Sequence, residues 1–241
     1  MAQVYALSRS GGPKSERFAA YVARVEHEFG LVGYNPMAGP PAAAAVEALM
    51  ALDAESLMAA AARDVAAKCA FRDAITLAIV VASPGMWTDR LATEVQLRTL
   101  GMRKPAHGLV YLWTGDLHDE RSIRRESAAE AVRVIWTSIH GSASTVRDVL
   151  AREGLAYALA GTPYGSSSGE DAAAVTDAVS VLADSTSISD ITAVLYGDPA
   201  CAAHGWPELG IAEHAGYQSA IARAEEGIKA LGAPAAVRLP P

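Results

Sequence analysis

An apolar run at residues 75–82 constrains the fold of this chain more than any other segment. The run reads Ile-Thr-Leu-Ala-Ile-Val-Val-Ala and shows none of the alternation of apolar and polar residues that marks a half-exposed strand. It is far shorter than the ~18 apolar residues that a membrane span needs. The run therefore predicts a central strand of a soluble protein, covered by helices on both faces.

Short β-branched and aromatic runs alternate with longer stretches rich in alanine and leucine. This alternation is typical of an α/β fold. The predicted strands cover residues 4–7, 75–83, 108–114, 131–137, 156–160 and 191–197. The predicted helices cover residues 15–29, 42–51, 55–70, 89–100, 144–153, 170–184 and 208–231, the last with room for a break near Gly216.

Composition and charge exclude several classes of protein. Hydrophobic residues make up 51% of the 241 residues and charged residues only 20%, so the chain can bury a large core and is not a disordered tail. Alanine runs at 42–45, 59–62 and 172–174 predict closely packed helices. The net charge of −7 argues against a nucleic-acid partner, because binding to the phosphate backbone needs clustered cations.

The two cysteines and the N-terminal residues indicate in which cellular compartment the protein lies. Cys69 and Cys201 lie far apart and form no CxxC or CxxH pair, so they predict neither a disulfide framework nor a zinc site. The first residues lack the basic region and apolar run of a signal peptide. We therefore expect a cytoplasmic protein with no membrane partner, no metal and no cofactor.

A weak internal repeat relates the two halves of the chain. Residues 59–83 and residues 171–197 each contain an alanine-rich helix, then an aspartate, then Ile-Thr at the start of a predicted strand. The offset between Ile75 and Ile191 is 116 residues, close to half of the chain. The sequence thus predicts one domain, 1–241, made of two pseudo-repeats at about 1–125 and 126–241.

The second half resembles the ketosynthase branch of the thiolase-fold proteins. It contains Ala-Val-Arg-Val-Ile-Trp at 131–136, Leu-Ala-Tyr-Ala-Leu-Ala-Gly at 155–161 and Asp-Ile-Thr-Ala-Val-Leu-Tyr-Gly-Asp at 190–198. This order is similar to the family's strand, its "A-R-G-A-x-x-Y-A-x-L-A-G" segment and its "D-I-D-x-V-x-x-H-G" segment. The resemblance implies a shortened thiolase-like fold, with duplicated α/β halves and helices sandwiched between and around mixed sheets.

The residues that perform ketosynthase chemistry do not match. The family's nucleophilic cysteine lies on a tight turn at a helix N-terminus, which lowers the thiol pKa. Cys69 is predicted within a helix instead, and Cys201 lacks a glycine-rich elbow. The family's first catalytic histidine aligns with Tyr196, whose phenol, with an ordinary pKa near 10, is a poor replacement for imidazole. We therefore expect no catalytic residue of this family.

A ketosynthase-like chain without catalytic residues resembles the chain length factors of type II polyketide synthases. The resemblance implies a heterodimer with a ketosynthase subunit and an acyl carrier protein as a further partner. In that role the chain would help to shape the acyl tunnel during polyketide, or fatty-acid-like polyene, chain elongation. A homodimer of the same fold is the alternative assembly.

A free-standing small α/β hydrolase or isomerase is the alternative function. His140 lies in Ile-His-Gly-Ser-Ala-Ser, between a predicted strand and a predicted helix, where it could act as a general base beside Ser142 or Ser144. A turn histidine in a capping loop is the competing interpretation. Asp116 with His118 forms a second acid–base candidate pair.

Other polar groups also have two interpretations each. His204 and His214 lie near glutamates, but the HxxxH and HExxH spacings of metal sites are absent. The loop 161–169 has turn chemistry and lacks the ending of a phosphate-binding loop. Three arginines could dock an acidic carrier protein or form an exposed helix start: Arg121, Arg124 and Arg125.

Overall fold

A computed structural model describes residues 6, 13–25, 40–83, 90–99, 106–165 and 168–241. Over these residues the chain is α/β and mostly helical, with one small parallel sheet. The strands are β1 (Thr76–Ala82) and β2 (His107–Trp113). The helices are α1 (Lys14–Val25), α2 (Pro40–Ala51), α3 (Ala54–Lys68), α4 (Arg90–Thr99), α5 (Glu120–His140), α6 (Val146–Ala160), α7 (Gly169–Leu182), α8 (Ile188–Tyr196), α9 (Asp198–His204), α10 (Ala215–Leu231) and α11 (Ala233–Ala236).

The strands predicted at 75–83 and 108–114 are confirmed as β1 and β2. They pair in parallel, with Thr76 opposite His107 and Ala82 opposite Trp113. Apolar side chains of both strands form a cluster with α2, α3 and the start of α5: Ile79, Val81, Val110, Leu112 and Ile123. Among the described residues β1 pairs with β2 alone, so its predicted central position is not confirmed.

The strand predicted at 131–137 is wrong, because this segment lies within α5. The helix begins at a capping box in which Asp119 accepts a hydrogen bond from the Ser122 amide and Ser122 Oγ accepts one from the Asp119 amide. It packs against α3, α6 and β2, and every residue from 127 to 136 is buried. A helix buried on all sides has a continuous apolar run, which cannot be distinguished by periodicity from a buried strand.

The strands predicted at 156–160 and 191–197 are also wrong. Residues 156–160 form the last turn of α6, and residues 191–196 belong to α8, where all six side chains are buried. The 116-residue offset therefore relates β1 to a helix, and the duplication of the two halves is not confirmed. Of the strand predicted at 4–7, only Ala6 lies inside the described residues.

The seven predicted helices all overlap helices of the described structure, with shifted ends. The helix predicted at 144–153 extends to Ala160 as α6, and the one predicted at 208–231 begins at Ala215 as α10. Two glycines outside the alanine runs allow close contact between helices. A Cβ at Gly154 would overlap the Ala220 carbonyl oxygen, and one at Gly216 would overlap that of Val194. These glycines allow α10 to approach both α6 and α8.

No helix in the described ranges combines the length and the apolarity needed to cross a membrane.

Candidate functional site

A cleft of about 970 Å³ lies along β2 and the turn that follows the carboxyl end of this strand. Loops that follow the carboxyl ends of parallel strands commonly bind ligands. We call it the tyrosine cleft, after the aromatic residues that line it: Tyr111, Trp113, Tyr157, Tyr164, Tyr196 and His214. The remaining walls come from α4, from the turn after β2 and from one face of α5.

Arg90 connects α4 to the turn after β2 at the rim of the cleft. Its guanidinium donates to both oxygens of Asp116, at 2.8 and 2.9 Å, and to Glu94 at 2.9 Å. It also lies over the Trp113 ring, 5.4 Å from the ring centroid. Although partial burial alone would lower the pKa of Arg90, the hydrogen bonds to Asp116 and Glu94 raise this pKa above its ordinary value. The rim arginine is therefore a permanent cation that is already paired.

A buried ion network between α5 and α6 reaches the cleft through Glu130 and Arg133. Glu153, with a side chain 0% exposed, accepts hydrogen bonds from Arg133 Nε at 2.9 and 3.1 Å and from Arg152 Nε at 3.1 Å. Arg133 Nη1 also lies 3.4 Å from Glu130 Oε2. Buried charges are costly unless they are paired, and the two glutamates balance the two arginines here.

Glu130 joins this network to the sheet. Its Oε1 accepts a hydrogen bond from the Leu109 amide at 3.0 Å. A Cβ on the neighbouring Gly108 would lie 2.8 Å from that oxygen and 2.7 Å from a methyl group of Val134. The glycine therefore lets β2 approach α5 closely enough for the carboxylate to reach the strand.

The aromatic rings of the tyrosine cleft pack against the ion network. The Tyr157 hydroxyl donates to Glu126 Oε2 at 3.2 Å, and the Tyr157 ring lies 5.1 Å from the Arg133 guanidinium carbon. Tyr164 stacks on Tyr217, with ring centroids 4.7 Å apart. The Tyr217 hydroxyl in turn donates to that of Tyr196 at 3.1 Å. One connected set of rings thus links the cleft surface to the core.

Local backbone geometry places these rings. Gly161 (φ 90°) and Gly197 (φ 80°) follow the last residues of α6 and α8 and adopt conformations that favour glycine. After Gly161 the chain turns, with the Tyr164 amide donating to Thr162 Oγ1 at 2.9 Å. The Tyr164 ring then lies 4.8 Å from that of His214, which precedes α10 in a left-handed conformation. The turn predicted for this loop is confirmed at 161–165.

Tyr196, which the family resemblance aligns with a catalytic histidine, lines the tyrosine cleft. Neither cysteine does. Cys69 and Cys201 are both buried and unbonded, and burial raises the pKa of each thiol above its ordinary value. A buried thiol with a raised pKa is a poor nucleophile, because the thiolate is the reactive form.

His140 lies at the end of α5, outside the residues that line the cleft. Its ring is 4.7 Å from that of Trp136, and its Nε2 is 2.8 Å from the Val237 carbonyl oxygen. Ser142 and Ser144 are exposed, and no hydrogen bond among the described residues joins either serine to His140. The histidine thus ties the C-terminal segment to α5, and its role as a general base stays a prediction.

The second acid–base pair is only partly brought together. His118 lines the cleft, with its Nε2 2.8 Å from the Trp113 carbonyl oxygen, while Asp116 is engaged by Arg90. The neighbouring Asp119 caps α5, and the backbone and side-chain hydrogen bonds from Ser122 lower its pKa.

The other polar candidates separate in the fold. His214 faces the cleft, whereas His204 packs edge-on against Trp206 at 4.9 Å. The described residues contain no group of three or more His, Cys, Asp or Glu side chains placed to hold a metal ion. Arg124 pairs with Glu120 and Arg125 with Glu126, both at 3.0 Å, along the start of α5.

Sequence reasoning missed the ion network. Glu126, Glu130 and Arg133 lie on one face of α5 because they are spaced by four and three residues. Interpreting 131–137 as a strand concealed that spacing. The available signal was the presence of charged residues inside an otherwise apolar run, since such charges must find partners when buried.

No family model, no curated protein and no solved structure matches this chain.

Proposed function

We propose that this chain binds a small polar molecule in the tyrosine cleft, one that bears a planar ring and no large net charge. The observation that carries the proposal is a buried, charge-balanced ion network that packs against the aromatic rings of a cleft beside β2. Buried ion networks usually cost stability compared with an apolar core. A chain that keeps one beneath a cleft is better explained by a site than by packing alone.

The charges of the cleft favour a ligand that is neutral or zwitterionic. Four carboxylates and three arginines line the cleft. Each of the three arginines already has a carboxylate partner: Arg90 with Asp116, Arg125 with Glu126 and Arg133 with Glu153. A polyanion would therefore have to displace existing ion pairs, and the cost of leaving a carboxylate without its partner opposes this.

The aromatic rings favour a planar group in the ligand. Tyr164 is half-buried, and it is held by edge contact with Tyr157 at 5.5 Å and by stacking on Tyr217. Rings fixed in this way present flat surfaces and hydroxyl groups at a small cost in conformational entropy. Glu126, which accepts from Tyr157, offers a half-buried carboxylate for hydrogen bonds to the ligand.

Ligand-detected NMR with four probes tests this function. Adenosine and tryptophan are ring compounds without large net charge, glucose lacks an aromatic ring, and ATP is a polyanion. We expect saturation transfer to adenosine or tryptophan, weaker transfer to glucose and ATP, and loss of the signal in Tyr164→Ala. Trp206→Ala, at a half-buried aromatic residue that does not line the cleft, is the control. Equal binding of ATP, or binding that persists in Tyr164→Ala, would contradict the proposal.

We also propose, as a second function, a non-catalytic partner of a ketosynthase in the cytoplasm. One observation favours it: Tyr196, at the position of the family's catalytic histidine, lines the cleft, while both cysteines are buried away from it. In this function the cleft is the remnant of an acyl site, and the chain pairs with a ketosynthase that receives substrate from an acyl carrier protein. It requires duplicated thiolase-like halves, and the helical conformation of residues 188–196 weighs against that requirement.

Co-expression separates the two functions. A ketosynthase encoded in the same genome should co-purify with the tagged chain as a heterodimer if the second function is correct. A chain that elutes alone, as a monomer or a homodimer, in the presence of that ketosynthase would exclude the heterodimer and leave the ligand-binding function.

A further inference from the structure

A second cavity lies on a different part of the surface, between α6, α7, α10 and the C-terminal residues. We call it the C-terminal groove; its volume is about 490 Å³, and it shares no lining residue with the tyrosine cleft. Apolar side chains form most of its walls, among them Trp136, Leu150, Leu155, Val179 and Leu239.

Apart from Arg223, the α10 wall of the groove carries almost no side-chain volume. Ala220, Ala224 and Gly227 line it at helical spacing. A Cβ placed at Gly227 would meet no atom within 4 Å. The groove is therefore open beside this part of α10, and its volume is of the size that small ligands occupy.

The two charged side chains that line the groove are both cationic. They are Arg147 and Arg223, and no aspartate or glutamate lines it, although the whole chain has a net charge of −7. Arg147 is 2.9 Å from Asp184, and both side chains are largely exposed. Arg223 is exposed on α10, and none of the ion pairs between described residues engages it. A largely apolar groove that carries cationic side chains is complementary to an apolar tail with an anionic head.

We propose that the C-terminal groove binds an alkyl carboxylate, with the tail along Ala220, Ala224 and Gly227 and the carboxylate at Arg223. A guanidinium forms charge-assisted, bidentate hydrogen bonds with a carboxylate, which makes Arg223 the group that sets head-group preference. Arg147 contributes a second positive charge that Asp184 partly compensates. This site stands on residues outside the tyrosine cleft, so it does not depend on the function proposed there.

Calorimetric titration with three ligands of equal chain length tests the head group. Decanoate, decanol and decyltrimethylammonium are each added below their micelle-forming concentrations. We expect decanoate to bind most tightly and decyltrimethylammonium least. Arg223→Gln should weaken decanoate binding about tenfold and leave decanol binding unchanged, whereas Lys229→Gln, at an exposed cation of the same helix outside the lining, should change neither.

Larger side chains in the C-terminal groove test where the alkyl tail of the ligand binds. Gly227→Leu places a side chain in open space on a helical backbone, so the fold should persist and all binding of decanoate and decanol should be lost. Ala224→Leu provides a second filling variant, and thermal unfolding checks that each variant is folded. Absence of decanoate binding to the unaltered chain, binding that survives in folded Gly227→Leu, or equal affinity for decyltrimethylammonium would each overturn the proposal.

Discussion

Neutralising Glu153 should destabilise the protein far more than neutralising a glutamate that belongs to an exposed arginine–glutamate pair. The Glu153 side chain is 0% exposed and accepts hydrogen bonds from Arg133 and Arg152. In Glu153→Gln, one acceptor oxygen becomes an amide donor that faces two guanidinium groups. Breaking a buried ion pair by removing one partner costs about 3–5 kcal/mol, because it leaves the other charge uncompensated. We expect a loss of that size in the free energy of unfolding.

Urea denaturation, followed by circular dichroism, measures the loss. Glu120→Gln is the matched control. Glu120 pairs with Arg124 within α5, and the side chains of Glu120 and Arg124 are 64% and 42% exposed. An exposed pair contributes less than about 1 kcal/mol. Similar losses in the two variants would refute the interpretation of the network as buried and mutually dependent.

A double substitution separates two contributions to the free energy of unfolding: the cost of leaving one buried charge without its partner, and the contribution of the intact ion network. Replacing Arg152 and Glu153 together by methionine removes one charge of each sign and leaves Arg133 paired with Glu130. The double variant should recover much of the stability that Glu153→Gln loses, since apolar replacements of buried pairs are often neutral or stabilising. If the network serves ligand binding, the double variant should at the same time lose binding in the tyrosine cleft.

Three further predictions follow from single contacts. Gly216→Ala should lower the free energy of unfolding by about 1–3 kcal/mol, because its Cβ overlaps the Val194 carbonyl oxygen, whereas Gly227→Ala in open space should raise it by about 0.5–1 kcal/mol in the same urea titration. Native Cys69 should react with a thiol reagent much more slowly at pH 8 than after unfolding, since burial raises its pKa; equal rates would contradict its placement. The pKa of Asp119 is lowered in the folded chain, so its contribution to stability is present above its ordinary pKa and is lost as the pH falls through the lower, folded value. Asp119→Asn should therefore lower the thermal midpoint at pH 7 and change it little at pH 2.

The sheet was predictable because its signals are local. The run at 75–82 has β-branched residues and the length of a strand, and it forms β1. The capping aspartate at 119 and the glycines at 161 and 197 also act within a few residues, but the strands predicted at 131–137, 156–160 and 191–197 concealed the helices that they bound. Such signals do not depend on the rest of the fold.

The buried helices were not predictable in the same way. Residues 131–136 and 191–196 are buried on every side and mostly apolar because other helices surround them, and a fully buried helix loses the periodicity that identifies it. This error propagated to the site. With residues 131–137 interpreted as a strand, Glu130 and Arg133 did not share a face, and the ion network beneath the tyrosine cleft could not be inferred. The pairing of Arg133 with Glu153 depends on the contact between α5 and α6, which no local pattern specifies.

A crystallographic screen with small planar and aliphatic fragments tests the tyrosine cleft most directly. Ring-bearing fragments without net negative charge should occupy the cleft in contact with Tyr164 or Tyr196, and the Arg133–Glu153 pair should stay intact beneath them. A cleft that stays empty while the same fragments bind elsewhere, or one filled only by polyanions with these ion pairs broken, would contradict the proposed function.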